Sequence, residues 1–451
     1  MKILYITSNY LPDKIGGTEI YVHGLSKELI LRGHKVFITH MGRFHEINGP
    51  SLRCREYVFE DTPVFVIERN DVNFRTAHLY FLTQEGVYKE FKRYLKDIMP
   101  DIVHFHQFSP TDIILQMEVV KAAGIPVVFT YHSPHVACSR ADMLFAGVRP
   151  CDGEIINKRC LACSQTRFGI PYFLAKLWAG FSFRLAELIG RLVFDLNLNS
   201  PLATYLQLPW LSLERIKRWK KGFSLVDHYV AVCLWAYELL LKNGVSTEKI
   251  SLSRQGIGRA PSVVKKHNKD VFRLGYIGRI HPVKGVDMLI NAFKKLPIDY
   301  KIELCIYGMP EKDRVEEKYY QKLRYSSSGD KRIVWPGVLP TEERFDKLAQ
   351  LDALVIPSRW LETGPLVLLE SWAVGTPVIG TKLGGIAELV REGQGGLLFR
   401  PQDVNDLAAK IKYIYQDHGL LLRLKESIPH VRTMQDVACD MEVLYKKLKK
   451  E

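Results

Sequence analysis

The sequence predicts an α/β chain made of two Rossmann-like, doubly wound domains in tandem, facing a central cleft. Three observations carry this. Short apolar runs rich in β-branched residues alternate with helix-period segments in both halves, the pattern of parallel strands covered by helices. The length, 451 residues, exceeds one ordinary core and fits two domains of roughly 200 residues. A stretch of linker composition, Arg259-Ala-Pro-Ser-Val-Val-Lys-Lys-His-Asn-Lys-Asp, lies past the middle and immediately precedes a new strand.

In chain order, Ile3–Ser8, Lys35–Thr39, Ile102–His106 and Val127–Tyr131 read as strands of the first domain, with helices at Glu19–Arg32 and Gln84–Lys96. Phe272–Ile277, Ile302–Tyr307, Ala353–Ile356 and Pro377–Gly380 read as strands of the second, with helices between them. The division is then 1–258, with a Cys-rich and helical insertion at about 138–225; a linker at 259–270; 271–430; and a terminal helix at 431–451. In that helix Met434, Val437, Met441 and Leu444 recur at helical spacing. Ligands of such sheets bind beyond the carboxyl ends of the strands.

Composition narrows the function classes. A hydrophobic fraction of 47% and a charged fraction of 25% are those of an ordinary globular protein. The net charge of +14 is spread, +8 over residues 1–260 and +6 over 261–451, and no RNP-like, zinc-finger or helix-turn-helix pattern accompanies it. Nucleic acid is therefore not an expected partner. Met1-Lys-Ile-Leu-Tyr-Ile-Thr runs straight into a strand pattern with no charged leader or cleavage site, so a cytoplasmic location is expected. The most apolar segment, 172–195, is interrupted by Lys176, Arg184, Glu187 and Arg191, which is not a spanning pattern. Within 164–225, aromatics and aliphatics precede a basic run, Glu214-Arg-Ile-Lys-Arg-Trp-Lys-Lys. Apolar anchors beside cations suit the surface of an anionic membrane; core helices with a solvated basic end carry the same periodicity.

The chemistry concentrates in Ser358-Arg-Trp-Leu-Glu-Thr-Gly-Pro-Leu-Val-Leu-Leu-Glu, which follows a strand. Proline favours the first helical position, which starts a helix at Pro365 and leaves free backbone N–H groups near 364–367 for a phosphate. Glu370 falls in the second turn on an otherwise apolar helix, where a carboxylate needs a partner; a ribose diol is one, a buried cation another. Glu362, just before the helix, suits the hydroxyls of a hexose, or a helix cap. In Gly275-Tyr-Ile-Gly-Arg-Ile-His-Pro-Val-Lys-Gly, Arg279 and Lys284 follow a strand at a glycine turn, two cations suited to a diphosphate.

Gly278-Arg279 with Lys284-Gly285, the Glu362 and Glu370 pair, Gly375-Thr-Pro-Val and Gly384-Gly-Ile-Ala-Glu388 together resemble the retaining glycosyltransferases of family 4, whose two-domain fold is called GT-B (glycosyl transferases group 1). The resemblance covers nearly the whole chain outside 140–225. It implies transfer of a hexose-type sugar from a nucleotide diphosphate sugar, with retained configuration and no essential metal; no Asp-x-Asp motif is present. It further implies that Arg279 and Lys284 hold the diphosphate, Glu370 the ribose and Glu362 the donor sugar, with Thr363-Gly364 standing where the family has Phe-Gly. Gly16 and Gly17 would approach the donor phosphates, and His106, with His132 as a second candidate, would orient the reacting sugar. The acceptor is a saccharide or a lipid-linked saccharide, as in surface polysaccharide, lipopolysaccharide or glycolipid assembly at the inner face of a membrane. A nucleotide-sugar epimerase of the same architecture and a non-catalytic nucleotide-sugar-binding protein are the alternatives.

Eight cysteines in a chain of this kind do not suggest a disulfide framework. Cys138, Cys151, Cys160 and Cys163 form C-x12-C-x8-C-x2-C, which suits a structural zinc. His132 or His135 could replace a ligand, and free thiols or a redox pair are the competing readings.

Overall fold

In the computed structural model, which describes residues 1–70, 85–107, 112–140, 142–180, 183–196, 200–259, 270–311 and 314–450, the chain forms two units. One comprises Met1–Ser253 with Val437–Glu451, the other Arg254–Asp436. Gln84 and most of the expected linker, 260–269, lie outside the described residues. The sequence places the divisions at 258 and 430. Ile257, however, bridges to Thr433 in parallel fashion, and a Cβ on Gly256 would come within 2.3 Å of the Thr433 carbonyl oxygen. This close pairing keeps both segments in the second unit.

The first unit is built on β1 (Lys2–Thr7), β2 (Lys35–Phe44), β3 (Leu52–Phe59), β4 (Thr62–Asn70), β5 (Ile102–Phe105), β6 (Val127–Tyr131), a small hairpin of β7 (Leu144–Phe145) and β8 (Arg149–Pro150), β9 (His228–Ala231) and β10 (Ile250–Leu252). The main sheet runs β10-β9-β6-β5-β1-β2-β4-β3 and is parallel except for the antiparallel pair β3 and β4. Ile3 to Ile6, Val103 and Val127 to Phe129 are buried, as expected of strands covered on both faces. Strand order reverses at β1, so the crevice outside the ends of β1 and β5 is where a ligand of this sheet binds. Gly16, Gly17 and His106 follow those two ends.

The second unit holds β11 (Phe272–Ile277), β12 (Ile302–Tyr307), β13 (Ile333–Gly337), β14 (Ala353–Ile356), β15 (Val378–Thr381) and β16 (Gly396–Phe399), all parallel in the order β13-β12-β11-β14-β15-β16. This is the 3-2-1-4-5-6 order of a dinucleotide-binding sheet, with its switch point between β11 and β14. The loops after those strands are the ones that carry Arg279, Lys284 and Glu362. Leu274, Leu304, Val355, Ile379 and Phe399 form the central core of this sheet with the helices Val286–Phe293 and Val404–Gln416.

The last helix spans Met434–Lys450 rather than starting at 431. Its start is set by a capping box: Asp436 accepts from the Thr433 amide at 2.8 Å, and the Asp436 amide donates to Thr433 Oγ1 at 3.3 Å. From Val437 onward it belongs to the first unit, where Tyr445 is fully buried. The Tyr445 hydroxyl lies 3.3 Å from that of Tyr5 and 2.5 Å from His104 Nδ1, and His104 Nε2 lies 2.7 Å from Thr130 Oγ1. Tyr445→Phe would leave His104 Nδ1 buried without a partner, at a cost of about 1–3 kcal/mol. Denaturant unfolding of the full chain is expected to show a lower midpoint with an unchanged slope.

Candidate active site

Two loops meet at the β11/β14 switch point, and named contacts bind them to each other. After β11, the Tyr276 hydroxyl donates to the Arg279 carbonyl at 2.8 Å and His281 Nδ1 accepts from the Val283 amide at 3.1 Å, shaping the turn Pro282–Lys284. Gly285 has φ of +70°, and a Cβ there would come within 2.0 Å of the Pro357 carbonyl oxygen, so only glycine lets the loop after β14 approach this closely. Arg359 completes the attachment. Its guanidinium binds both Asp287 oxygens at 2.7 Å, and its amide donates to the Val283 carbonyl at 2.8 Å. Burial pushes the Asp287 carboxyl up, but Arg359 and Tyr319 hold it below the usual range.

Lys284 and Glu362 converge across these loops: Nζ lies 2.7 Å from Oε1, and Ser358 Oγ donates to the same oxygen at 2.7 Å. The ammonium also stands 4.9 Å from the centre of the Trp360 ring. Burial alone would raise the Glu362 carboxyl; Lys284, Ser358 and Trp360 together hold it lowered, so it stays ionised. Arg279 has a different environment, with Nη1 2.9 Å from Glu311 and Nε 3.9 Å from Glu316 on a partly exposed side chain. Both cations expected to be available for a diphosphate therefore carry carboxylate neighbours here.

Pro365 is not the first helical residue. It is the extended N-cap (φ −65°, ψ 128°), and the helix is Leu366–Ala373; proline fixes φ, while ψ remains free to stay outside the helix. Thr363 is buried and Gly364 has φ of +112°. Of the first-turn amides, that of Leu368 already donates to the Pro365 carbonyl at 3.0 Å, while those of Leu366 and Val367 have no intrahelical acceptor. Gly385 supports this loop from behind: its amide donates to the Glu362 carbonyl at 2.7 Å, and a Cβ would meet the Gly364 nitrogen at 2.5 Å. That contact explains Gly384-Gly385. In Gly375-Thr-Pro-Val, Thr376 Oγ1 donates to the Leu348 carbonyl and Ser371 Oγ to the Thr376 carbonyl, tying the helix end to β15.

Glu370 is buried, and Arg344 donates to its Oε1 at 3.0 Å. Its Oε2 is buried with no hydrogen-bond partner. Burial raises its carboxyl, and Arg344 offsets only part of that. The buried-cation alternative is thus half of what is observed, and the remaining oxygen is left over. Nothing in the spacing of the sequence singles out Arg344, Arg359 or Asp287.

In the first unit, His106 follows β5 and His132 follows β6. His106 Nδ1 lies 3.1 Å from His132 Nε2, and the His106 ring stacks on His104 at 4.1 Å and meets Tyr5 edge-on at 4.8 Å. His106 Nε2 is buried without a partner. Burial, reinforced by the neighbouring histidines, holds His104 and His106 well below the ordinary value, and burial takes His132 to about 3. Gly16 caps the helix Gly17–Leu31 in extended geometry, and a Cβ there would press on the Glu19 carboxylate at 2.5 Å, whereas Gly17 faces open space. Gly16 thus has no special backbone conformation, and the atom its Cβ would meet is the end of a side chain.

Cys138, Cys151, Cys160 and Cys163 all line one small cavity of about 30 Å³. Among the described residues, no group of three or more His, Cys, Asp or Glu is gathered to hold a metal ion. A larger cavity of about 440 Å³ runs along the second sheet past Tyr307 to Val338–Pro340, and Arg279, Lys284, Glu362 and Glu370 do not line it.

The three histidines give a pH dependence. Their folded values lie below 6.5, so under acidic conditions the unfolded chain binds more protons. Stability is full above pH 6.5 and falls as the pH drops, by up to about 1.4 kcal/mol per pH unit for each histidine. Chemical unfolding at pH 7, 6 and 5 is expected to show this slope, and His132→Gln should reduce it.

Residues 15–151 match the family described as Glycosyltransferase Family 4, and residues 261–430 match that described as Glycosyl transferases group 1. A D-inositol 3-phosphate glycosyltransferase of Corynebacterium efficiens is 29% identical over 46% of this chain, and the chain spans 50% of that relative's length. Sucrose-phosphate synthase from Thermosynechococcus elongatus aligns over 99% of this chain and 98% of its own, with TM-score 0.66 at 18% identity. Anabaena HepE in complex with UDP-glucose aligns over 100% and 98%, with TM-score 0.58 at 15% identity. At these identities the likeness to solved structures establishes the fold. With family matches in both units and the two doubly wound sheets described above, the chain belongs to the glycosyltransferases of family 4, group 1, and has the GT-B fold.

Proposed function

We propose that this glycosyltransferase moves a hexose from a nucleoside diphosphate sugar to a saccharide or lipid-linked acceptor, with retention of configuration. The observation that carries the proposal is Glu370: a buried carboxylate with one oxygen held by Arg344 and the other without a partner. A ribose diol would supply the missing donor. Arg279 and Lys284 are assigned to the diphosphate, where fixed cations stabilise the charge growing on the leaving group without a divalent metal. Lys284 exchanges its bond to Glu362 for the phosphate, which frees Glu362 for the sugar hydroxyls. Thr363, Gly364, Pro365 and Leu366 present the first-turn backbone to the donor. Gly16 and Gly17 are assigned to the donor phosphates, and His106, with its unpartnered Nε2, to orienting the reacting sugar. HepE, bound to UDP-glucose, makes a uridine donor the first to test.

The acceptor reading rests on the insertion. Helices Tyr172–Gly180 and Phe183–Asp195 leave Phe173, Leu177, Leu188 and Leu192 exposed at 64%, 67%, 64% and 58%. In the second helix Leu185, Leu188 and Leu192 recur at helical spacing, opposite a face where Gly190 packs on Trp210. Lys176 and Arg191 are exposed on the same helices, and Lys217 and Lys220 on the neighbouring helix Pro201–Ser224. Such a face suits the headgroup region of an anionic bilayer. Among the described residues no helix is long and apolar enough to cross a membrane. Surface attachment would bring the chain to lipid-linked intermediates of polysaccharide, lipopolysaccharide or glycolipid assembly at the cytoplasmic side.

Two experiments test this. Labelled UDP- and GDP-sugars with membrane extract are expected to give labelled lipid. Glu370→Ala, Lys284→Ala and Arg279→Ala should each cut transfer by about 10²-fold or more with the circular dichroism of the parent, and full activity in any two rejects the site. Donor epimerisation without acceptor, or binding without turnover, would point to the other two enzyme and binding readings. For the membrane face, Leu188→Ser with Leu192→Ser is expected to abolish co-flotation with anionic vesicles while leaving donor hydrolysis unchanged; retained flotation rejects that face as the anchor.

A further inference from the structure

The cysteine-rich excursion after β6 has little apolar material of its own. Its satellite core is small, Leu161, Ala162, Ala175 and Ala179 with Ile170 and Tyr172 packed on them, beside buried Met143 and Leu144, which is modest stabilisation for more than thirty ordered residues. Yet its backbone is held in unfavourable conformations: Met143 and Ala146 have φ of +53° and +52°, and such geometry persists only where the surroundings over-determine it. Asn243 fixes one end, with Oδ1 accepting from the Ile155 amide at 3.0 Å and Nδ2 donating to the Gly153 carbonyl at 2.9 Å. Arg215 fixes the other through the Cys138 carbonyl at 3.3 Å. Between these anchors the fold brings four cysteines from three separate segments to the wall of one cavity.

We propose that Cys138, Cys151, Cys160 and Cys163 bind one structural zinc ion as a tetrathiolate. Four sulfur ligands favour zinc or an iron–sulfur cluster, and zinc is the closed-shell ion that a structural four-cysteine site ordinarily takes. The Ala146 amide donates to Cys163 Sγ at 3.1 Å, a hydrogen bond that gains strength when the sulfur is a thiolate. A zinc tetrathiolate carries two net negative charges, and Arg140 and Arg159 line the same cavity. The sulfurs are not gathered as ligands in this structure, so binding requires their side chains to turn inward, each thiol releasing one proton as its Zn–S bond forms. His132 heads the same excursion and contacts His106, so the ion would also steady that pair.

Elemental analysis of the full chain, purified without chelator, is expected to give one zinc per chain. Titrating the unaltered protein with an organomercurial should release that zinc as four thiols react beyond the exposed Cys54 and Cys439, a readout that needs no variant to fold. Cys160→Ser with Cys163→Ser should lose the zinc, while Cys305→Ser and Cys439→Ser keep it. Cobalt in place of zinc should give the intense visible bands of a tetrahedral thiolate site. Four free thiols with no metal, a disulfide seen as a mass two hydrogens lower, or bound iron with visible absorption would each overturn the proposal.

Discussion

The second unit depends on one constraint: the loop after β11 and the loop after β14 must be held edge to edge at the point where the sheet reverses. Strand order alone leaves two loops with free ends. Arg359 on Asp287 joins their supports, Gly285 lets the backbones touch, and Lys284 on Glu362 closes the junction. Glu362 is buried and the other three charges are half-buried, and each is tolerated because it is paired and also hydrogen-bonded. The Lys284–Glu362 pair differs from the Arg359–Asp287 pair in being single-point rather than bidentate. A bidentate pair is geometrically specific and suits scaffolding; a lysine is a point charge that can swing between a carboxylate and a phosphate. Under the proposed function the architecture thus separates a fixed clamp from one that would exchange.

Much of this was legible in the sequence, for a physical reason. Strands buried on both faces are continuous apolar runs, and Val127–Tyr131, Phe272–Ile277, Ile302–Tyr307 and Ala353–Ile356 have the predicted ends. Others shift by a residue, Ile3–Ser8 to Lys2–Thr7 and Pro377–Gly380 to Val378–Thr381, and β2 runs five residues past Thr39 because it pairs with β4 as far as Phe44. The hairpin of β3 and β4 was not legible. β3 is an edge strand, alternately exposed and rich in Arg and Glu, and its two-residue turn is Glu60-Asp61, both with positive φ (42° and 65°). Such turns normally announce themselves with Asn-Gly or Asp-Gly, and here neither is present.

The site shows the same division. Glu362 and Glu370 stand out because a carboxylate amid apolar residues is costly wherever it is placed. Their partners do not, since Arg344 and Lys284 lie 26 and 78 residues away in sequence and become neighbours only through the sheet. Spacing could raise the question of what neutralises each glutamate, but only topology answers it. It answers differently for the two: Glu362 is fully engaged by Lys284, Ser358 and Trp360 and stays ionised, while Glu370 is half engaged and raised. Under the proposed function a donor would supply a diol to the half-engaged Glu370 and compete for the lysine that engages Glu362.

The first unit applies burial to a different end. Three histidines at the ends of adjacent strands would repel one another if charged, and their burial keeps them neutral. A neutral imidazole has one donor and one acceptor nitrogen, so a chain of them has a direction. His104 is committed at both ends, to Tyr445 and Thr130; His106 is committed only to His132. The nitrogen left without a partner is therefore His106 Nε2, and in the proposed role its neutrality would have it act as a hydrogen-bonding group rather than as a cation. The last helix bears on this arrangement without supplying a histidine: by occupying His104 through Tyr445, it leaves His106 as the histidine of the stack with an unpartnered nitrogen.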